Sequence, residues 1–244
     1  MKYFYTVVFS LLASIYTYQL AEGVLEEYLT YKDLLEYDVH NLDIIAVMFG
    51  STNIELYPFL PIQSYVVLFP TFAFYLIGIL LAIWRFIIIE RGYHSFLLSR
   101  LQTKHAFIHY LQQGVYKKII IYTVSYSCFT LIFAQFFAPY PKESINVNSL
   151  TMICLFTISR IMLLAVITQI SFIVYLKNNA IIAQFSSLFF IVFCLIIGMR
   201  IDVLNFVFYN PTYFFLPSIL LSVILYLGIV LIKKKLIYQL IEKE

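Results

Sequence analysis

Residues 65–89 read YVVLFPTFAFYLIGILLAIWRFIII, and residues 90–118 read ERGYHSFLLSRLQTKHAFIHYLQQGVYKK. The first stretch carries one charge, Arg85, near its end. A helix needs about 20 apolar residues to cross about 30 Å of hydrocarbon, and this run is long enough. Trp84 beside Arg85 reads as an interface anchor, an aromatic ring at headgroup depth next to a cation. The second stretch is basic and returns to another apolar run. A span, a basic loop and a second span therefore follow one another, and the pattern extends in both directions.

Composition agrees with that reading. The chain is 62% hydrophobic and 12% charged, with a mean hydropathy of +0.90. Soluble domains are about 45–50% apolar and about 25% charged, so a water-soluble core of 244 residues is excluded. Barrel strands are short and alternate polar with apolar, which these runs do not. The expected fold is all-α: a polytopic membrane protein with six transmembrane helices and both termini cytoplasmic. The spans fall at about 3–20, 65–89, 119–137, 150–176, 180–199 and 211–232. They form one transmembrane domain over 1–244, with no repeat, low-complexity tract or soluble domain.

Charge placement sets the orientation. Eight of thirteen acidic residues lie between Glu22 and Glu55, and six of sixteen basic residues lie between Arg85 and Lys118. Lys2, the Arg85–Lys118 group, Lys177, Lys233, Lys234, Lys235 and Lys243 share one side, against Lys32, Lys142 and Arg200 on the other. The positive-inside rule puts the first set in the cytoplasm. The loop 21–64 is then extracellular and acidic, and the loop 90–118 is cytoplasmic. The run ending at Thr17-Tyr18-Gln19-Leu20-Ala21 lacks a small-x-small cleavage pattern and reads as an uncleaved first span.

Local signals refine the connections. Leu25, Leu29, Leu34 and Leu35 among Glu26, Glu27, Asp33 and Glu36 suggest an amphipathic helix after the first span. Asn41–Phe49 suits the membrane interface. Lys177-Asn178-Asn179 reads as a tight hairpin, and Asn210-Pro211 interrupts an apolar stretch, as an interfacial or re-entrant element would. Cys128, Cys154 and Cys194 lie inside apolar runs, where cysteine behaves as a small hydrophobe. Their spacing supports neither a disulfide framework nor a zinc site.

Chemistry-bearing residues are sparse. In the basic loop, Leu97, Leu101, Ile108, Leu111 and Val115 fall near helical spacing, with Arg100, Lys104 and Gln112 elsewhere on the wheel. Such a helix either docks its apolar ridge on a soluble partner or lies on anionic lipid at the inner membrane face. Arg160 lies well inside the fourth span, where an arginine costs about 2.5–3.5 kcal/mol. It either pairs with a substrate or a carboxylate, Asp202 being the nearest in this topology, or snorkels outward. His105 and His109 stand one helical turn apart, but His-Glu-x-x-His is missing and Arg and Lys surround them. Glu26-Glu27 lacks the arginine four residues on that paired-glutamate intramembrane proteases require, since Tyr31 stands there. Asp38, His40 and Asp43 do not follow an EF-hand spacing. The acidic loop is either a solvated face or an attractor for a cationic peptide. No Gly-x-x-x-x-Gly-Lys-Ser/Thr loop is present, so no cofactor, metal or catalytic set is expected, and any ATP hydrolysis belongs to a separate chain.

The six-span layout, the orientation, Glu90-Arg91-Gly92 and the following Phe96-Leu97-Leu98-Ser99 together carry a resemblance. The whole chain resembles the membrane-spanning subunits of type-2 ABC exporters, especially the small six-span permeases found with bacteriocin export or self-immunity. The resemblance implies a coupling helix that seats on a separate ATP-binding subunit, built from Glu90, Arg91, Gly92, Leu97, Arg100, Leu101, Lys104, Ile108 and Leu111. It also implies a homodimer or a sister permease, a bacterial plasma-membrane location, a peptide cargo and no nucleic acid. The chain departs from those permeases in a first span that starts near Met1 and in a longer acidic loop. Those departures favour a second reading, a non-transporting accessory or immunity protein that binds a peptide or scaffolds a membrane complex.

Overall fold

The computed structural model describes residues 3–30, 39–49, 68–88, 104–142, 147–200, 220 and 222–232. These form helices α1 (Phe4–Thr30), α2 (Asn41–Met48), α3 (Leu68–Ile88), α4 (Lys104–Phe136), α5 (Val147–Lys177), α6 (Ala180–Arg200) and α7 (Ser222–Ile232). No strand occurs among the described residues. The all-helical expectation holds. Stretches within α1, α4 and α5 (Phe4–Glu26, Gln112–Phe136 and Ile153–Lys177) are long and apolar enough to cross a membrane. Shorter apolar stretches, Phe69–Trp84, Ala180–Cys194 and Ser222–Ile232, occupy α3, α6 and α7.

The outer surface identifies the solvent. Phe4, Tyr5, Phe9, Leu12 and Tyr16 of α1 and Phe185, Phe189 and Phe193 of α6 are exposed. Water does not tolerate aromatic faces of that extent, whereas hydrocarbon does. The interior is the more polar side: Ser10, Ser14, Thr17, Thr130, Thr168, Ser171 and Ser187 are buried. Each hydroxyl has an oxygen to bond. Ser14 donates to the Ser10 carbonyl (2.9 Å), Thr130 to Tyr126 (2.9 Å) and Ser171 to Ile167 (2.8 Å). Small polar residues satisfied by their own helix let neighbouring helices approach closely, as hydrocarbon-embedded bundles require.

Inter-helix contacts fix the direction of each helix. Ser10 of α1 donates to the Tyr122 carbonyl of α4 (3.0 Å), and Tyr18 further along α1 meets Phe133 further along α4, so α1 and α4 run parallel. The hydroxyls of Ser127 on α4 and Thr157 on α5 lie 2.7 Å apart, while Gln112 reaches Gln169, so these two run antiparallel. The chain turns at Asn178 and Asn179 into α6. There the Asn179 side chain accepts the Ile182 N–H (2.9 Å), and the Ser171 and Ser187 hydroxyls bond across the pair. On α3, Thr71 faces Arg160 and Gly78 faces Leu164, so α3 runs parallel to α5. Direction thus alternates through α1, α3, α4, α5 and α6, as successive crossings of a bilayer would. One end of the bundle is marked by Asn178 and the other by Pro141.

Gly78 sets how closely α3, α4 and α5 approach. A Cβ there would sit 3.0 Å from Tyr122 Cε1 and 3.1–3.2 Å from the Leu164 methyls. Neither neighbour has room to move, because both are buried and the Tyr122 hydroxyl is tied to the Phe74 carbonyl at 2.9 Å.

Two expectations change. The first half of the amphipathic helix expected after the first span does not begin separately: α1 continues unbroken to Thr30, with Leu25 in the core, and Leu34 and Leu35 lie outside the described residues. Asn41–Phe49, expected at the membrane interface, is instead packed inside the bundle, with Ile44 and Val47 fully buried. Nine residues with one charge can coat a surface or fill an interior, and partners elsewhere in the chain decide between the two. The Asn210-Pro211 element lies outside the described residues.

Candidate functional site

The short helix α2 enters the bundle from the Pro141 end. Its first turn is pinned there: the Asn41 N–H donates to the Pro141 carbonyl (3.2 Å), and the Asn41 amide reaches the Ala134 carbonyl (3.4 Å). Asp43 accepts the His40 backbone N–H at 2.7 Å, a side-chain oxygen satisfying a backbone donor at the helix start. Asp43 also places a negative charge at the favourable pole of the helix dipole. Eight residues at about 1.5 Å each carry the other pole about 12 Å inward.

That inner end faces Arg160. The last carbonyls of a helix have no partner within it, and they form the negative pole of its dipole. Arg160 Nη2 donates to the Phe49 carbonyl, and Thr71 Oγ1 lies 3.5 Å from the same nitrogen. The Tyr126 hydroxyl lies 3.3 Å from the Met48 carbonyl and 2.9 Å from Thr17 Oγ1. The guanidinium stands 4.8 Å from the Tyr75 ring centre and 5.6 Å from that of Phe74. Phe49 stacks on Phe156 at 4.8 Å and meets Tyr126 edge-on at 5.8 Å. Phe156 and Arg160 are one turn apart on α5, so a single face of that helix supplies both the ring and the cation.

Arg160 is 3% exposed, which excludes snorkelling to the surface. Asp202, the carboxylate expected to pair with it, lies outside the described residues. The charge is held in part by what α2 brings. A cation at a partly buried helix C-terminus gains up to about 2 kcal/mol. Each desolvated cation–π contact adds roughly 0.5–2 kcal/mol. Together these are of the same order as the insertion cost of about 2.5–3.5 kcal/mol. Nη1 has no hydrogen-bond partner among the described residues. The apolar run within the acidic loop and the isolated arginine were both visible in the sequence. Nothing in the sequence linked positions 49 and 160.

Near the Asn178 end the side chains that bond one helix to another are neutral. Gln112 on α4 donates to Gln169 Oε1 on α5 at 3.3 Å, and Gln169 Nε2 donates to the Tyr116 hydroxyl. The Tyr116 and Tyr226 hydroxyls lie 2.9 Å apart and join α4 to α7. Of the predicted coupling residues, Lys104, Ile108 and Leu111 lie in the first turns of α4, continuous with its membrane-length part. Glu90, Arg91, Gly92, Leu97, Arg100 and Leu101 lie outside the described residues. His109 is exposed and bonds Gln113 at 2.9 Å. No group of three or more His, Cys, Asp or Glu gathers among the described residues.

Fold and site define a class: a multi-pass helical membrane protein with a short helix folded into its bundle and capped by a buried arginine. Compared with protein-family models, curated proteins and solved structures, the chain matches none.

Proposed function

We infer that the protein is the permease subunit of an ATP-driven exporter, working beside a copy of itself or a sister permease and driven by a separate ATP-binding chain. The observation that supports this is the continuity of α4. One helix of 33 residues runs from Lys104, in the basic segment, to Phe136. From Lys104 to Tyr126 is about 33 Å of rigid helix. Tyr122 and Tyr126 on that helix bond to α3, α1 and α2. A push delivered at the basic end therefore reaches the Arg160 centre through a single lever. The cargo is a peptide in this reading.

A second reading, a non-transporting accessory or immunity protein, draws on a different observation. The charge in the core is engaged by the chain's own α2 and enclosed by Phe74 and Tyr75, so this part of the interior is filled. Affinity purification from native membranes in mild detergent, followed by mass spectrometry, separates the two. A stoichiometric partner with a phosphate loop supports the permease, and recovery of a peptide or membrane protein without an ATPase supports the accessory reading. Inserting Gly-Gly after Gln113 should leave ATPase binding intact and uncouple it from transport. Transport that survives the insertion would remove the lever from the mechanism.

A further inference from the structure

The exposed stripe of α4 changes character along its length. Phe136, Ile132, Cys128, Val124 and Ile120 are exposed and apolar. The next exposed positions on the same face, Lys117, Gln113 and His109, are polar. That change marks where hydrocarbon gives way to headgroups and water. The neighbouring helices agree. Trp84 of α3 is exposed and lies six residues past Gly78, which faces Tyr122 of α4, itself five residues past Lys117. Phe4 of α1 is exposed and lies six residues before Ser10, which bonds the Tyr122 carbonyl. About 7–9 Å of helix in each case puts Trp84, Phe4 and Lys117 at one height, an aromatic belt beside a cation.

Helix α6 crosses that height differently. Gln112 of α4 bonds Gln169, and Ser171, two residues further along α5, bonds Ser187 of α6. Phe189 and Phe185 flank Ser187, so they stand level with Gln113 and His109, and Phe185 lies about 12 Å beyond Lys117. Phe185 and Phe189 are nevertheless 69% and 74% exposed, and Ile181 and Ile182 continue the face to the Asn179 cap. Tilting does not remove the overhang. Helix α6 packs against α3, whose Trp84 marks the boundary. Across an axis separation of about 8–10 Å, a tilt that submerged both would be about 50°, outside the range of about 0–40° that spans adopt. Hydrocarbon therefore reaches Phe193 but not Phe189, Phe185 and the two isoleucines. An apolar face standing out of the bilayer needs protein to cover it, and the cover must be apolar at the same height. A second copy meets that condition by construction: its charges insert it in the same orientation, which brings the same face to the same height. We propose that Ile181, Ile182, Phe185 and Phe189 of α6 form the contact between two copies of this chain, related by a two-fold axis along the membrane normal. The contact rests on the permease reading, in which a copy or a sister permease stands beside the chain, and names the surface used. Its test needs neither an ATPase nor a cargo, so its failure leaves the lever of α4 untouched.

The test is cross-linking of the full chain in native membranes, with the exposed thiols Cys128 and Cys154 replaced by Ala. Oxidised with copper phenanthroline, Phe185→Cys should give a band of twice the chain's mass. Phe9→Cys, on the exposed face of α1, should stay monomeric. A second measurement is energy transfer between copies carrying donor and acceptor on a terminal tag, in phosphatidylcholine vesicles over a lipid-dilution series. Phe185→Ala with Phe189→Ala should raise the dissociation constant of the pair by at least about tenfold, and Phe9→Ala should leave it unchanged. Both phenylalanines are exposed in the single chain, so their truncation removes no core packing, and melting of the variant confirms that the fold is kept. The contact is overturned if Phe185→Cys cross-links no more than Phe9→Cys, if the wild type is monomeric at every dilution, if the Ala pair associates like wild type, or if Phe185→Cys cross-links to a different protein instead of to itself.

Discussion

The two ends of the bundle bury polarity in opposite ways. Near the Asn178 end, Gln112, Gln169, Tyr116 and Tyr226 are neutral, and each bonds a side chain on another helix. Toward the Pro141 end, Arg160 is charged, and the one oxygen within bonding distance of its inner position that comes from α2 is a backbone carbonyl. A neutral pair can be replaced by two apolar side chains at little cost, because both partners leave together. A charge held by a helix terminus cannot be exchanged in that way, because the terminus keeps its orphan carbonyls. The first arrangement ties helices together, and the second decides where a segment folds.

The largest effect should come from breaking the charged end. Arg160→Leu should cost about 2–3 kcal/mol, since it strands the Phe49 carbonyl in the core. Melting of the detergent-solubilised protein measures the loss. Maleimide labelling of Met48→Cys, buried in the wild type, should rise sharply in the Arg160→Leu background. Labelling that stays at the background rate would mean that α2 is held by packing alone. Gly78→Val should cost about 1–3 kcal/mol by overpacking Tyr122 and Leu164, with Gly78→Ala milder. The same melting assay ranks the two.

The neutral end sharpens the comparison at smaller magnitude. Gln169→Leu should cost about 1–2 kcal/mol, because it leaves Gln112 and Tyr116 short of a partner. Adding Gln112→Leu should recover part of that loss, and a double variant weaker than the sum of the singles would break the contrast with Arg160. The smallest effect concerns pH. Tyr140 has a folded pKa raised from 10.0 to about 12. Below pH 10 the group is protonated in both states and its contribution is complete. As pH climbs from 10 to 12 the unfolded chain releases the proton first, so stability falls across that window. Tyr140→Phe should flatten the decline in a melting series, and an unchanged slope would remove Tyr140 from the titration.

Legibility followed length and composition. The runs that became α4, α5 and α6 were readable because apolar stretches of that length have one economical backbone conformation in hydrocarbon, with every N–H and C=O bonded internally. The hairpin at Asn178-Asn179 was readable from its polar, turn-forming residues, and Asn179 does cap α6. The extension of α1 to Thr30 was missed because Glu22, Glu26 and Glu27 looked like the end of a span, although glutamate is a good helix former. The burial of α2 was missed for another reason. A nine-residue apolar stretch has no length signature of its own, and its place depended on a carbonyl at Phe49 finding Arg160, 111 positions away.

Sequence alone determined that this chain is helical, that it carries apolar stretches of membrane length, and that its acids and bases lie in different connections. Those properties follow from composition and spacing, which act locally. Only the tertiary structure decided that residues 41–49 fold inward, that Arg160 caps them, and that Gln112, Gln169, Tyr116 and Tyr226 join three helices near the other end. Each of these depends on groups brought together from distant helices, where a charge or an orphan carbonyl is satisfied by whatever the packing of the bundle sets beside it.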